Sequence, residues 1–260
     1  MSHVHSEHSP SSQKPKWVAI TGASSGIGEA TAYAFATLGY SVALIARRRD
    51  RLEQVVSTLH RVSGSSHSVQ SRIIVADLSL DTGIDSTIDQ LRDLKLEFLI
   101  HNAGMIGPIT PLLEVTRAQW RQHMTLNLEA PLFLTQGLIS QLRGGRVIHI
   151  SSGAAHKSIA GWGSYCISKG ALYRLWACFK EELLSHNIVL ASVRPGVVDT
   201  EMQTEIRRAE HPAFVQRTYF ENLKSEGELL DPAEVAKYLV NLCLNAPSAE
   251  LIEREWDIRD

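Results

Sequence analysis

The sequence has few cysteines, little net charge and no long apolar run, and each absence excludes a class of protein. The three cysteines (Cys166, Cys178 and Cys243) lack C-x-x-C spacing, so neither a disulfide framework nor a zinc site is indicated, and we expect no metal site. A formal net charge of −2 gives no reason to expect nucleic acid or an acidic membrane surface as a partner. No apolar run approaches transmembrane length. We therefore expect a cytoplasmic globular protein.

The chain also lacks the features of a secretory or transit signal. Residues 1–15 are polar and contain neither an apolar core stretch nor an arginine. We expect these residues to form a disordered, solvated tail. Nothing in residues 16–260 marks a linker, and their number suits one α/β domain.

Short apolar segments alternate with longer amphipathic segments along this domain. Strands are predicted over residues 16–21, 41–46, 72–77, 97–102, 146–151 and 188–194. Helices are predicted from the glycine-rich loop to Leu38, and over 50–60, 84–94, 117–142 and 164–185. The alternation predicts an α/β fold, a single-domain doubly wound (Rossmann) parallel sheet with helices on both faces.

The pattern changes in the last quarter of the chain. Residues 200–230 are charged and contain aromatics without strand patterning, which predicts a functional loop that covers a site. Asp231 followed by Pro232 predicts the start of a helix. The C-terminal stretch E-L-I-E-R-E-W-D-I-R-D could supply a last strand.

A serine, a tyrosine and a lysine follow the predicted strand at 146–151. Tyr165 stands thirteen residues after Ser152, and Lys169 stands four residues after Tyr165. In a helix, Lys169 lies on the same face as Tyr165 and close enough to act on the phenol. Ser152 stands at the carboxyl end of a strand, where open parallel sheets bind ligands. The spacing predicts hydrogen-bonding and proton-transfer groups around one carbonyl oxygen.

A glycine-rich loop, T-G-A-S-S-G-I-G, follows the first strand and opens a helix, as a dinucleotide fingerprint requires. Gly22 would permit the tight turn, Gly26 the approach of backbone to the pyrophosphate, and Gly28 the packing of helix on strand. The helix N-terminus would offer free N–H groups to phosphate. The loop therefore predicts a dinucleotide cofactor.

The residues after the second and third strands indicate which dinucleotide. An NAD site places an acidic residue after the second strand, whereas an arginine accommodates the 2′-phosphate of NADP. Arg47 is the first charged residue there, so NADPH is preferred, while Arg48 and Arg49 could equally be a solvated helix start. Asp77 suits a contact to the adenine edge. The turn at 102–104 would let backbone meet the cofactor.

These motifs, with A-D-L, Asn127 in T-L-N-L and R-P-G-V-V-D-T, occur in the order and spacing of one family over residues 21–200. The chain resembles the short-chain dehydrogenase/reductase family. Within it, G-W-G-S-Y-C-I-S-K-G-A-L and P-G-V-V-D-T-E-M-Q resemble sepiapterin and benzil reductases. One departure is Ser25, where many NADPH-using members carry a lysine or arginine, so the preference for NADPH depends on Arg47.

The resemblance implies four catalytic residues. Tyr165 would be the general acid that protonates the carbonyl oxygen, and the Lys169 ammonium would lower its pKa from about 10. Ser152 would hydrogen-bond the same oxygen. Asn127 would hold a water that links Lys169 to solvent, and Lys169 would also bond the nicotinamide ribose.

The resemblance also implies contacts to cofactor and substrate. The cofactor contacts are expected at Gly22, Ser24, Ser25, Gly26, Ile27, Gly28, Arg47, Asp77, Leu78, Asn102, Ala103, Gly104, Tyr165, Lys169, Pro195, Gly196, Val198 and Thr200. The substrate wall is expected at Gly153, His156, Trp162, Met202 and Gln203. Trp162 offers a flat face to an aromatic or pterin-like compound, and packing in the core or lid is its alternative. Asp257 would anchor a pterin, or else be a surface aspartate.

The sequence predicts an NADPH-dependent carbonyl reductase for a small-molecule ketone, diketone or pterin side-chain carbonyl. One alternative is an NAD(P)-dependent alcohol dehydrogenase that works in the oxidative direction. Another is a non-catalytic NADP-binding regulatory protein, which the presence of all four catalytic residues disfavours. The resemblance further implies a homodimer or homotetramer built through the two long helices.

Overall fold

A computed structural model of the chain describes residues 15–64 and 69–260. Apart from its last residue, the predicted tail at 1–15 lies outside the described residues. The strands are β1 Trp17–Thr21, β2 Ser41–Ala46, β3 Ser71–Val75, β4 Leu96–His101, β5 Arg146–Ile150, β6 Val189–Arg194 and β7 Trp256–Asp257. The helices are α1 Gly26–Thr37, α2 Arg49–Val62, α3 Asp81–Leu91, α4 Arg117–Met124, α5 Ala130–Gly137, α6 Ile139–Leu142, α7 Gly163–Leu184, α8 Glu201–Arg208, α9 Arg217–Ser225, α10 Pro232–Asn245 and α11 Ser248–Glu253.

The strands of the described residues form one sheet in the order β3-β2-β1-β4-β5-β6-β7. Each neighbouring pair is parallel. Chain order reverses between β1 and β4, and the carboxyl ends of strands at such a reversal form the crevice where ligands bind. The predicted doubly wound parallel fold is confirmed.

Apolar side chains cover both faces of the sheet. In β1, Val18 and Ile20 pack into one buried cluster with α1 and α10, while Trp17 and Ala19 pack into a second cluster with α5 and α7. Because both of their faces are buried, β1 and β2 are nearly continuous apolar runs without polar alternation. The strands therefore form a rigid platform whose carboxyl ends hold the site.

Residues 117–142 are helical, but the prediction of one long helix is wrong because the segment is irregular. It consists of α4, a π-helical segment over Thr125–Glu129, α5 and α6, with a break at Leu138. The π-helical segment contains Asn127, whose side chain pairs with the backbone of Met105. That partner lies 22 residues earlier in the chain, so local helical periodicity could not reveal the irregularity.

Residues 200–230, the lid segment, contain α8 and α9 and are not the loop that the sequence predicts. Backbone hydrogen bonds join both ends of the lid segment: Asp199 N donates to Leu230 O at 2.9 Å, and Leu230 N donates to Val197 O at 2.9 Å. The two ends of the lid segment therefore lie side by side, close to the carboxyl end of β6.

The predictions for the C-terminal region are confirmed. Asp231 accepts a hydrogen bond from the backbone N–H of Ala233 at 2.7 Å and caps α10, which begins at Pro232. The last strand, β7, pairs with β6. Among the described residues, every helix is too short or too polar to span a lipid bilayer.

Candidate active site

A cavity of about 920 Å³ opens at the carboxyl end of the sheet, within the range of small-molecule sites. The glycine-rich loop lies at one end, and the start of α7 and the lid segment enclose the other. Most of the site residues that the sequence predicts line this cavity. They are Gly22, Ser24, Ser25, Gly26, Ile27, Arg47, Asp77, Leu78, Asn102, Ala103, Gly104, Ser152, Gly153, Trp162, Tyr165, Lys169, Pro195, Gly196, Val198, Thr200, Met202 and Gln203.

The glycines of the loop are required by its conformation. Gly22 and Gly26 have φ angles of +67° and +58°, in the left-handed region that favours glycine. A Cβ atom added to Gly28 would lie 2.4 Å from the carbonyl oxygen of Gly22. Gly28 itself does not line the cavity, but it lets the loop pack against α1, whose first residues, Gly26 and Ile27, line the cavity.

Asn102 forms hydrogen bonds with the glycine-rich loop. Its Nδ2 donates to the carbonyl oxygens of Thr21 and Gly22 at 3.0 and 3.2 Å. The Thr21 hydroxyl in turn accepts from the backbone N–H groups of Asn102 and Ala103, each at 3.0 Å. The side chain of Asn102 therefore stabilises the loop, and the residue also lines the cavity.

Arg48 links the glycine-rich loop to α8. Its guanidinium donates to the hydroxyls of Ser24 and Ser25 at 3.1 and 3.0 Å and pairs with Glu201 of α8 at 3.0 Å. Arg47 and Arg48 both line the cavity. Arg48 stands at the start of α2, as one sequence interpretation had it, and in addition contacts the glycine-rich loop. The sequence did contain one signal for this role. Ser25 stands where many NADPH-using members carry a lysine or arginine, and Arg48 supplies the positive charge that Ser25 lacks.

Tyr165, Lys169 and Ser152 converge at the carboxyl end of β5. Tyr165 lies in the first turn of α7, and the Lys169 Nζ atom is 5.8 Å from the centroid of its ring. Lys169 also donates to the carbonyl oxygen of Ile150 at 2.8 Å. The Ser152 hydroxyl accepts from the backbone N–H of Ala154 at 3.1 Å, which fixes its position. Tyr165 and Lys169 are buried.

Burial is the largest influence on the pKa of Tyr165 and on that of Lys169. It raises the pKa of Tyr165 to about 12, against the lowering effect of the Ser152 hydroxyl. It lowers the pKa of Lys169 to about 8, while the nearby Glu255 carboxylate acts in the opposite direction. The shift of the Tyr165 pKa is opposite to the expected lowering. At neutral pH the phenol therefore keeps its proton and can act as a donor.

Asn127 lies near Lys169 but does not line the cavity itself. It is 1 % exposed. Its Oδ1 accepts from the backbone N–H of Met105, and its Nδ2 donates to the Met105 carbonyl, both at 2.9 Å. A Cβ atom added to Gly104 would be 3.4 Å from Asn127 Oδ1 and 3.8 Å from Lys169 Nζ. Asn127 and Lys169 thus approach the same point beside Gly104.

Trp162 packs within the lid segment's apolar cluster. Its ring lies 5.7 Å from that of Phe214 and 5.3 Å from that of Phe220, with interplanar angles of 19° and 23°. Its ring is perpendicular to that of Tyr165, at an interplanar angle of 89° with 5.8 Å between the centroids. Of the two roles predicted for Trp162, this arrangement fits packing in the lid, because Phe214 and Phe220 stack on its ring. The adjacent cavity wall is mainly apolar, with Ile106, Ala154, Ile159, Val197, Met202 and Ile206.

His156 and Asp257 do not line the cavity. Asp257 is 2 % exposed and accepts two hydrogen bonds from the guanidinium of Arg259, at 2.8 and 2.6 Å. Those bonds are the main reason why the pKa of Asp257 falls to about 2. His156 Nε2 lies 2.6 Å from a carboxylate oxygen of Glu255. Both side chains therefore stabilise the C-terminal strand region, while Arg259, which the sequence analysis missed, reaches the cavity.

Known proteins resemble the chain over nearly its whole length. The family model for short chain dehydrogenases matches residues 16–211. The benzil reductase ((S)-benzoin forming) of Bacillus cereus is 31 % identical over 235 residues, which cover 87 % of this chain and 93 % of that protein. The sepiapterin reductase of Rattus norvegicus is 31 % identical over 239 residues, covering 86 % and 89 %. The resemblance to these two reductases is thus confirmed.

A solved structure shares both the fold and part of the sequence. The short-chain dehydrogenase from Sphingobium yanoikuyae in complex with NADPH has a TM-score of 0.73 and 27 % identity, with 87 % of this chain and 84 % of that chain covered. The chain belongs to the short-chain dehydrogenase family of oxidoreductases.

Proposed function

We propose that the protein is an NADPH-dependent carbonyl reductase that acts on ketones, diketones or pterin side-chain carbonyl compounds. The observation that carries the proposal is the convergence of Tyr165, Lys169 and Ser152 on a cavity whose far end is a glycine-rich loop. The benzil and sepiapterin reductases among its relatives support this substrate class.

The residues at the far end of the cavity fit a phosphorylated dinucleotide. Gly22 and Gly26 line this end of the cavity without side chains, and the amino end of α1 beside them attracts phosphate. Arg47 and Arg48 provide two guanidinium groups for a 2′-phosphate. Bound NADPH would supply the hydride to the carbonyl carbon.

Tyr165 would donate its phenolic proton to the carbonyl oxygen. Its raised pKa supports this role, because a phenol that keeps its proton suits reduction better than the base needed for alcohol oxidation. Ser152 would hydrogen-bond the same oxygen and hold it for the transfer. Lys169 would bind the nicotinamide ribose, and Asn127 would hold the water that returns a proton through Lys169.

Oxidation of NADPH by a panel of carbonyl compounds tests the proposal. We expect the purified protein to consume NADPH with benzil-type diketones, sepiapterin or bulky aromatic ketones, because the cavity wall near Tyr165 is mainly apolar. Faster alcohol oxidation with NAD would instead favour the oxidative alternative. Binding of NADPH without turnover across the whole panel would favour a non-catalytic role.

The arginines after β2 should determine the choice of cofactor. Replacing Arg47 or Arg48 by alanine is expected to raise the Kd for NADPH about tenfold, because each loses a charge-assisted contact to the 2′-phosphate. The Kd for NADH should change little. Fluorescence titration measures both constants.

Arg49→Ala is the matched control for these variants. Arg49 pairs with Glu53 at 3.8 Å and does not line the cavity, so its replacement should leave both constants unchanged. Equal weakening of NADH and NADPH binding in Arg48→Ala would contradict the assignment.

The assembly and location of the protein belong to the same proposal. We propose a homodimer or homotetramer, which the exposed apolar side chains of Phe133 on α5 and Ile167 on α7 support, at 43 % and 42 % exposure. Light scattering in solution gives the number of copies. We also propose a cytoplasmic location, which cell fractionation tests.

A further inference from the structure

His123 is a buried polar side chain to which the sequence analysis gave no role. It lies on α4, four residues before Asn127, and has no exposed surface. Its ring is steeply inclined to that of Tyr165, at an interplanar angle of 79° with 6.3 Å between the ring centroids. A buried imidazole needs partners for both ring nitrogens, and those partners indicate what the residue does.

The partners of His123 fix its tautomer. Nδ1 lies 3.2 Å from the carbonyl oxygen of Gly107. A carbonyl oxygen can only accept, so Nδ1 must carry the hydrogen. Burial lowers the pKa of His123, which favours the neutral ring. In the neutral ring Nε2 then has a free lone pair and can only accept.

Nε2 of His123 faces the amide of Asn127. The distance to Asn127 Nδ2 is 2.8 Å, and the distance to the Ser168 hydroxyl is 3.2 Å. The Ser168 hydroxyl donates to the backbone carbonyl of Tyr165 at 2.9 Å, so its hydrogen is already in use. One N–H of Asn127 donates to Met105, which leaves the other for His123, with Ser168 Oγ at 3.0 Å as a weaker partner.

We propose that His123 is a positioning residue for carbonyl reduction, which fixes the Asn127 amide beside Lys169 by accepting its second N–H. This inference rests on the proposed function. Asn127 is then held on both sides, by the Met105 backbone and by His123, while Ser168 connects the same cluster to the backbone of Tyr165. Without His123 Nε2, the buried N–H would keep only the weaker Ser168 acceptor, and the side chain would leave its place in the proton path.

Three variants separate the two ring nitrogens. Asparagine at 123 can keep the donor to Gly107 but lacks an acceptor at the Nε2 position, glutamine can keep that acceptor, and leucine has neither. We expect kcat to fall about tenfold in His123→Asn and His123→Leu, and to stay within about threefold of wild type in His123→Gln. The KM for NADPH should not change, because His123 does not line the cavity.

A double-mutant cycle distinguishes positioning from a general structural effect. In an Asn127→Ala background, His123→Asn should cause no further loss of kcat, because the group that it positions is absent. The solvent isotope effect on kcat should rise in His123→Asn as proton return becomes slower, and return to the wild-type value in His123→Gln. Additive losses, or a wild-type kcat in His123→Asn, would overturn the proposal.

A measurement without turnover tests the contact itself. Nitrogen-15 NMR of the histidine rings should show His123 as a neutral Nδ1–H tautomer at neutral pH. The side-chain amide signals of Asn127 should shift in His123→Asn and not in His123→Gln. If the wild type reduced no carbonyl compound, the proposed function would fail while these spectra still tested the contact. An Nε2–H tautomer would refute the contact.

Discussion

Replacing Tyr165 by phenylalanine is expected to lower kcat for carbonyl reduction by about 100-fold or more, because a positioned general acid contributes on that order. The change removes the O–H that would protonate the carbonyl oxygen and keeps the ring that packs edge-on against Trp162. The Kd for NADPH should change far less than kcat. Steady-state oxidation of NADPH and fluorescence titration on the same sample measure the two effects.

Tyr173→Phe is the control for this substitution. Tyr173 lies on the same helix, α7, but does not line the cavity. Loss of its hydroxyl should leave kcat unchanged. If Tyr165→Phe retained full activity, the assignment of Tyr165 as the proton donor would be wrong.

Replacing Lys169 by methionine is expected to lower kcat by a similar factor, about 100-fold, because it removes the ammonium from the proton path. The pH profile identifies the group. The pKa of Lys169 is lowered to about 8, so its ammonium is present below that pH and is lost as the pH rises through it. The wild-type rate should therefore fall above about pH 8, whereas Tyr165, with a pKa of about 12, keeps its proton over that range.

Lys169→Arg is the matched variant, because a guanidinium stays charged throughout this range. Its rate is expected to be lower than that of wild type, but the fall above pH 8 should disappear. A profile that kept the same fall in Lys169→Arg would assign it to another group.

Stability gives a second readout for Lys169. Its ordinary pKa of 10.5 is lowered in the folded state, so the unfolded chain binds more protons at pH values between the two. The free energy of unfolding should therefore rise with pH from about 8 to about 10.5, and this rise should be absent in Lys169→Met. At neutral pH the methionine variant should be at least as stable as wild type, because it no longer buries a charge. Denaturant titration measures both effects.

The sheet and the Tyr165–Lys169 pair could be predicted from the sequence because local features encode them. A strand buried on both faces is an apolar run wherever it occurs, as in β1 and β2. Tyr165 and Lys169 share a helix face, so their spacing alone brings them together. The φ angles of Gly22 and Gly26 are likewise local properties of the loop.

Features that depend on distant partners could not be predicted. Arg48 is a cavity residue because Ser24, Ser25 and Glu201 lie within its reach, and Glu201 is 153 residues away in sequence. The position of His123 depends on the carbonyl of Gly107 and on Ser168 of α7. Neither contact leaves a periodic signal in the sequence.

The lid segment shows the same limit. Its two helices are short, and their buried residues, such as Phe220 and Ile206, pack on Trp162 and Tyr165 rather than on each other alone. Their amphipathic pattern is too brief to outweigh the charges around it. Asp257 has the character of a surface residue in sequence, but Arg194 and Arg259 pair with it in the folded chain and permit its burial.

Transfer of deuterium from NADPH labelled at C4 of the nicotinamide tests the central claim most directly. With a benzil-type diketone, wild-type protein should give an alcohol that carries deuterium on the former carbonyl carbon, with one label per NADPH consumed. Label from one face of the nicotinamide and not the other should be transferred. An unlabelled alcohol, or no alcohol from any carbonyl compound of the panel, would contradict the assignment of the protein as an NADPH-dependent carbonyl reductase.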